Sequence, residues 1–331
     1  MDLSIFFAGT AGSVPSARRG LPALLLRRGG EKLLFDCGEG TQRQLLRSVG
    51  LLDFDAIFIT HFHADHWLGL PGMLKSLALR DRTEPLTVFG PPGLKDLVAD
   101  MRVAFGRLPY ALTLTELEPA EAVERDGYRI AAVPVQHKSR HSYGYVLVEG
   151  PRPGHLDAAL AESLGVRPGP DFGRLQRGET VDGVKPEQVM GTEREGRKIV
   201  ISGDTAPCEA LAIAAHQADV LVHESTFKDE EADRARETFH STARQAAELA
   251  HTAEVRLLAL THISARYAGG ELRDEAREVF AATEAPRDFD TIEVPFPERG
   301  GATLLRWADR QARERRLAES SQAPPEPVAS P

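Results

Sequence analysis

The sequence predicts an α/β protein in which two sheets pack face to face with helices on their outer sides. Three observations predict it. Short apolar runs rich in Val, Ile, Leu and Phe recur along the chain, most of them bounded by Gly, Asp or Pro, which is the pattern of buried strands. The first half opens with consecutive strand runs before any long helical pattern. Beyond it, strands and helices mix, which fits two packed layers better than one doubly wound sheet.

In chain order, strands are expected over 3–8, 23–28, 31–36, 54–60, 86–90, 128–136, 143–149, 198–203, 219–224, 256–262, 291–296 and 301–307. Helices are expected over 41–49, 69–80, 93–105, 207–216, 242–253 and 271–282, with Ser241 and Thr242 offering an N-cap to the fifth. Residues 150–197 stand apart: they are rich in Pro, Gly and mixed charge, with one short helical piece near 156–164. A stretch of that length inside a compact domain reads as a functional insertion. Residues 309–331 begin as a charged helix-like run and end in SSQAPPEPVASP, which lacks the apolar content to fold and is expected to be a disordered tail. The folded domain is therefore drawn as 1–308, with 150–197 inserted.

With 331 residues, 42% of them hydrophobic, the chain can bury a sizeable core. A net charge of −9 argues against a protein that coats nucleic acid by bulk charge and leaves room for a local basic face. The two cysteines, Cys37 and Cys208, suggest no disulfide framework and read as free thiols in a reducing cytoplasm. MDLSIFFAGTAG reads as a first strand, not a signal peptide, and no window approaches the roughly 18 apolar residues of a membrane helix.

The centre of the sequence is IFITHFHADHWLGLPG, residues 57–72. A β-branched strand runs straight into His61, His63, Asp65 and His66, and three imidazoles and a carboxylate in six residues are costly unless something binds them. That donor set suits zinc. His61 and His63 can face one ion, and Asp65 and His66 can turn toward a second. Two further strand ends complete the set: KIVISGDT delivers Asp204, expected to bridge both ions, and LLALTHIS delivers His262 to the second ion. For the first ion AAVPVQHKSRHSYGY offers His137, preferred because it sits where the strand stops, or His141 four residues on.

The run HFHADH, then SGDT, then THIS, resembles the metallo-β-lactamase superfamily. GTAGSVPSARRG, LLFDCGEGTQRQLLR, VLVHEST, HSTARQAAELA and LTHISARY, with the preceding motifs and in the same order over residues 3 to about 307, resemble the ribonuclease Z family of tRNA 3′-processing endonucleases. The resemblance implies a four-layer αββα metallo-β-lactamase sandwich with two zinc ions per subunit at the sheet edges, manganese being able to take the same ligands. It implies that 150–197 is an arm gripping the tRNA elbow, with LGVRPGPDFGRLQRGE similar to the arm's Gly-Pro motif. It implies a homodimer in which each arm serves the partner's site. Two departures stand out. Pro15 to Gly20 reads PSARRG where the family reads PxKxRN, so Arg19 is kept while Ala17 and Gly20 replace Lys and Asn. And His137 lies six residues before Tyr143-Gly144 where the family has five.

The expected reaction removes the 3′ trailer from precursor tRNA. Asp65, beside its ion, is the expected general base. His240, opening HSTARQ, is the expected proton donor to the leaving oxygen, with Glu224 of HEST orienting it. His223 is expected to be structural. Asp36 is read as orienting a ligand histidine, Gly38 shares its DCGEGTQ motif, and Thr41 and Gln42 open a helix whose start can meet a phosphate. Arg18, Arg19, Arg43, Arg47, Lys138 and Arg140 are expected to form a basic floor for RNA. The alternative reading is another dizinc hydrolase of the same fold: a small phosphodiesterase, lactonase, thioesterase or arylsulfatase.

Overall fold

The structure is a computed structural model that describes residues 1–313. Its strands are β1 (Leu3–Gly9), β2 (Ala23–Arg28), β3 (Glu31–Phe35), β4 (Ala56–Phe58), β5 (Leu86–Gly90), β6 (Leu112–Glu116), β7 (Ala122–Arg125), β8 (Tyr128–Pro134), β9 (Tyr143–Glu149), β10 (Lys198–Ile201), β11 (Val220–Glu224), β12 (Leu258–Thr261), β13 (Thr283–Glu284), β14 (Thr291–Glu293) and β15 (Thr303–Leu305). They form an eight-stranded sheet in the order β15-β14-β1-β2-β3-β4-β5-β6 and a seven-stranded sheet in the order β13-β12-β11-β10-β9-β8-β7. The two-sheet expectation holds.

Alternation along the strands explains why two sheets stack. Ile5 and Phe7 of β1, Phe58 of β4, Tyr145 of β9 and Val222 of β11 point into a core between the sheets. There Phe58 stacks on Phe35 and Phe89 at ring-centroid separations of 5.0 and 4.8 Å, pairs worth about 0.5–1.5 kcal/mol each beyond their area. The opposite faces are apolar too, so each needs a helical cover. α1 (Thr41–Ser48), α2 (Ala64–Trp67), α3 (Leu70–Leu79), α4 (Leu94–Asp100) and α5 (Arg102–Phe105) lie along the first half of the chain. Leu45, Leu70, Leu74 and Val98 from this group cover the first sheet. After α6 (Ala158–Ser163), α7 (Pro170–Gln176) and α8 (Pro186–Val189) come α9 (Glu209–Ala215), α10 (Ala232–Thr238), α11 (Ala243–Thr252) and α12 (Gly269–Arg277). Leu211, Ala246, Ala250 and Leu272 of these cover the second sheet. The result is the αββα order. Thr242 caps α11 in a reciprocal box with Gln245.

Several boundaries differ from expectation. The helix expected over 93–105 is two helices that meet at Met101. The apolar-run criterion passes over β6, β7 and β13, because β6 and β7 are half-exposed and β13 is two residues long. Among the described residues, no helix is long and apolar enough to cross a membrane. Residues 307–313 are helical, in line with the helix-like start of the tail; the rest of the tail, 314–331, lies outside the described residues.

Residues 150–197 connect β9 to β10, which are antiparallel neighbours, so the insertion is an elaborated hairpin end. It carries three short helices in place of the single expected piece. It also has a small core of its own: Ala161, Val166, Leu175, Val181, Val184 and Val189. Its two stems are paired by backbone hydrogen bonds between Arg152 and Arg194, at 2.7 and 2.9 Å. Both guanidiniums grip Glu298, which follows β14 of the other sheet: Arg152 at 2.7 and 3.0 Å, Arg194 at 2.8 Å. The Phe296 ring is flanked by the guanidiniums of Arg152 and Arg197, 3.7 and 4.0 Å from its centroid. Buried Glu149 takes Arg197 through two oxygens, at 2.7 and 2.8 Å, and Arg28 of β2 at 2.9 Å.

Candidate metal centre

The catalytic candidates gather where parallel strands end. β3 and β4 are parallel, as are β10, β11 and β12. Their carboxyl ends therefore open on one edge of the sandwich, which is where α/β sheets bind ligands. Asp36 follows β3; Thr60 and His61 follow β4. Asp204 follows β10, Glu224 ends β11, and His262 follows β12.

His63 precedes α2, and that single turn presents Asp65 and His66. The turn closes onto the DCG motif through Cys37 N to His66 O (2.8 Å) and Gly69 N to Cys37 O (2.9 Å). A side chain at Gly38 would meet the Asp65 carbonyl at 2.3 Å, so the motif needs a glycine there. Gly12 likewise lies against His262, whose Nδ1 a Cβ would meet at 2.5 Å. Asp36 and His262 both have left-handed backbone, φ 58° and 54°. Such strain costs about 1–3 kcal/mol and collects at functional sites.

The groups of donor atoms that result include His61, His63 and His137, and Asp65, His66, Asp204 and His262. Asp204 joins them. Its Oδ2 lies 3.2 Å from His262 Nε2, 3.3 Å from His66 Nε2, 3.8 Å from His61 Nε2 and 3.9 Å from His137 Nε2. His137 Nε2 is 2.9 Å from His63 Nδ1, whereas His141 belongs to neither group. Beyond β8, Gln136 pairs with Ala206. Glu224 and His240 sit beside these groups, His240 Nδ1–H donating to Glu224 Oε1 at 2.7 Å.

The Nδ1 atoms of His61, His66 and His137 are occupied. His66 Nδ1–H donates to Asp36 Oδ2 (2.7 Å), and His137 Nδ1–H to Phe239 O (2.9 Å). His61 Nδ1 lies 3.0 Å from Thr60 Oγ1, which in turn donates to Asp36. What remains bare is buried and points inward: His61 Nε2, His66 Nε2 and Asp204 Oδ1 have no hydrogen-bond partner. Buried polar atoms are normally paired, and unpaired imidazole and carboxylate lone pairs converging on one spot fit a cation.

The electrostatics agree. Burial depresses the basicity of His61, His63 and His137, which favours the neutral, lone-pair form. Burial opposes charge on Asp65, but the neighbouring His262 and His66 outweigh it and hold the carboxyl well below the usual range. Burial opposes charge on Asp204 as well; His262 and His66 keep it ionised. His66, though buried, is pushed well above its ordinary value by Asp204 and Asp36, so the carboxylates hold a proton where a metal ion can replace it. The donor set therefore fits a metal site.

A model of the beta-lactamase superfamily domain matches residues 31–156 and 174–263; the gap between them falls inside the insertion. Over 308 residues the chain is 46% identical to a ribonuclease Z of Halorubrum lacusprofundi, covering 90% of this chain and 99% of that one. Over 302 residues it is 45% identical to a ribonuclease Z of Methanosarcina mazei, covering 89% and 99%. The chain belongs to the ribonuclease Z family. It is thus an endonuclease of the ribonuclease Z type, in the metallo-β-lactamase superfamily. The crystal structure of human tRNase Z, short form, superposes with a TM-score of 0.65 at 28% identity, covering 88% of this chain and 99% of that one.

Other sequence expectations fare differently in this ribonuclease Z. Arg19 does not face a substrate floor: it turns inward to Thr10 Oγ1 (2.6 Å) and Pro286 O (3.3 Å), because half-buried Asp288 organises that corner. Arg18, Arg43, Arg47, Lys138 and Arg140 are exposed. The side chains of Thr41 and Gln42 are committed locally, to Gly38 O and Ser76 Oγ. His223 is buried, its Nδ1 at the Glu224 carbonyl. Sequence reading passed over Thr60, Thr226 and Ser13, whose N–H donates to Asp65 Oδ2 at 2.9 Å. For the threonines the signal was present: each sits inside a motif, THFHADH and HEST.

Proposed function

We propose that this chain is a zinc-dependent endoribonuclease that removes 3′ trailers from precursor tRNA, leaving a 3′-hydroxyl on the tRNA and a 5′-phosphate on the trailer. The observation that carries the reading is the union of two His/Asp donor groups with the Glu224–His240 pair on one sheet edge, in a chain of the ribonuclease Z family. His61, His63 and His137 would hold one ion, Asp65, His66 and His262 a second, and Asp204 both. Zinc suits these ligands, and manganese is chemically acceptable. When bound, the ions supply Lewis acidity and a water acidic enough to attack near neutral pH.

The residues supply the rest. Asp65, ionised and steadied by Ser13 N–H, accepts the attacking water's proton. His240 commits Nδ1 to Glu224, which leaves Nε2 to donate a proton to the departing 3′ oxygen. The insertion would grip the tRNA away from the cut. Its exposed Arg174 and Arg177 pair with Glu179 at 2.9 and 3.1 Å, which favours reading of shape over bulk charge. The family resemblance supports a homodimer, and the free thiols Cys37 and Cys208 support a cytoplasmic setting.

The test is cleavage of a precursor tRNA bearing a 3′ trailer, with product ends mapped and metal removed by chelation in a parallel sample. Trailer removal that disappears with chelator and returns with zinc is expected. Turnover of bis(p-nitrophenyl) phosphate with no tRNA cleavage would instead favour a small phosphodiesterase.

A pH profile tests His240. Burial works against its charge, but Glu224 outweighs burial and raises it to about 9. The acid form is therefore present below that value and lost as pH rises through it; nearby cations would lower the midpoint. An alkaline fall in kcat at or below pH 9 is expected, and Glu224→Gln should move it to lower pH. An alkaline limb unmoved by Glu224→Gln would remove Glu224 from this role.

A further inference from the structure

On each sheet, one carboxylate and one threonine hydroxyl together hold two histidines by their Nδ1 atoms. On the first sheet Asp36 takes His66 directly at 2.7 Å, and Thr60 Oγ1, 2.9 Å from Asp36 Oδ2, takes His61 at 3.0 Å. On the second, Glu224 Oε1 takes His240 directly at 2.7 Å. Thr226 Oγ1, 2.6 Å from Glu224 Oε2, lies 2.8 Å from His262 Nδ1. The hydroxyl is also 3.3 Å from His240 Nδ1, but the nearer Glu224 oxygen takes that proton.

A hydroxyl carries one proton, and an ionised carboxylate can only accept. The Thr226 proton therefore goes to Glu224, and a lone pair of Thr226 Oγ1 faces His262 Nδ1. That nitrogen must then carry the ring's proton. His262 Nε2 is left bare, 3.3 Å from Asp65 Oδ2 and 3.2 Å from Asp204 Oδ2. Thr226 is only 5% exposed, so water cannot readily replace its hydroxyl.

We propose that Thr226 is a positioning residue whose hydroxyl fixes His262 as the Nδ1–H tautomer and so joins the metal-binding half of the site to the Glu224–His240 pair. One carboxylate, Glu224, then governs both the proton donor and a metal ligand. The proposal rests on the reading of His262 as a ligand.

The test uses the full-length protein with Thr226→Val, which keeps the shape and removes the hydroxyl, and Thr226→Ser, which keeps the hydroxyl. Zinc stoichiometry and affinity are read by competition with a chromogenic chelator. Thr226→Val should lose about 10–100-fold in affinity for one of two ions, the usual cost of removing a partner of a ligand histidine, while Thr226→Ser stays close to wild type. Equal affinity in Thr226→Val and wild type would overturn the proposal. So would a Thr226→Ser variant as weak as Thr226→Val, since that points to packing of the methyl group. The tautomer is read separately, by ¹⁵N NMR of the wild-type histidines, and needs no variant to fold. A proton on His262 Nε2 overturns the proposal. Full retention of both ions by His262→Ala would instead show that the ligand reading itself is wrong, and the proposal would fall with it.

Discussion

Asp204→Asn is expected to abolish turnover of every phosphodiester, large or small, with the fold retained. Asn fills the same volume but carries no charge. Asp204 Oδ2 lies within 3.2–3.9 Å of His262, His66, His61 and His137, so it links the two donor groups. The same residue helps to raise the basicity of His66 and has a buried oxygen, Oδ1, with no hydrogen-bond partner. Loss of a group shared by both ions should exceed the roughly 10–100-fold cost of losing an outer partner, and metal content should fall with it. Kinetics on a trailer-bearing tRNA and on bis(p-nitrophenyl) phosphate, with metal analysis and circular dichroism alongside, check the expectation. Near-wild-type turnover with both ions retained would refute a shared role for Asp204.

Excising residues 157–189 behind a short glycine-serine link should give the opposite pattern. Cleavage of trailer-bearing tRNA is expected to fall on the order of 100-fold in kcat/KM, about 2.8 kcal/mol at ~1.4 kcal/mol per decade, mainly through KM. Small-diester turnover should persist. The reasons are structural. The insertion buries its own apolar side chains, from Ala161 to Val189, apart from the sandwich cores. The Arg152–Arg194 rung and the β9–β10 pairing lie outside the cut. Equal loss on both substrates would mean that the insertion props up the catalytic centre and does not grip RNA.

The donor cluster is legible in the sequence because several of its members come just after strands. A β-branched run that ends in His61, or an apolar run that ends in Asp204 or His262, places its last residue at the sheet edge whatever the rest of the fold does. Thr226 and Ser13 are different. Their contributions, a shared hydroxyl proton and a backbone N–H on Asp65, depend on which loops meet across more than thirty residues of sequence. Arg19 shows the converse. Its charge suggests substrate, yet a half-buried acid at Asp288 and the carbonyl of Pro286, far along the chain, draw that corner inward. The preference for His137 over His141 rests on where a strand stops, and β8 does stop at Pro134, three residues short of the histidine the structure places beside His63. β6 and β7 escaped the reading because half-exposed strands carry fewer apolar residues than the buried runs around them.

The Phe296 sandwich and the Glu298 clasp bolt the insertion, which grows out of the second sheet, to a loop of the first. The mounting therefore spans both halves of the sandwich, and any pivot must lie farther out than the Arg152–Arg194 rung. Residues 294–300 and the insertion stems behave as a single mechanical coupling: a graft between relatives that moved one without the other would leave two cations beside an aromatic ring that no longer matches them.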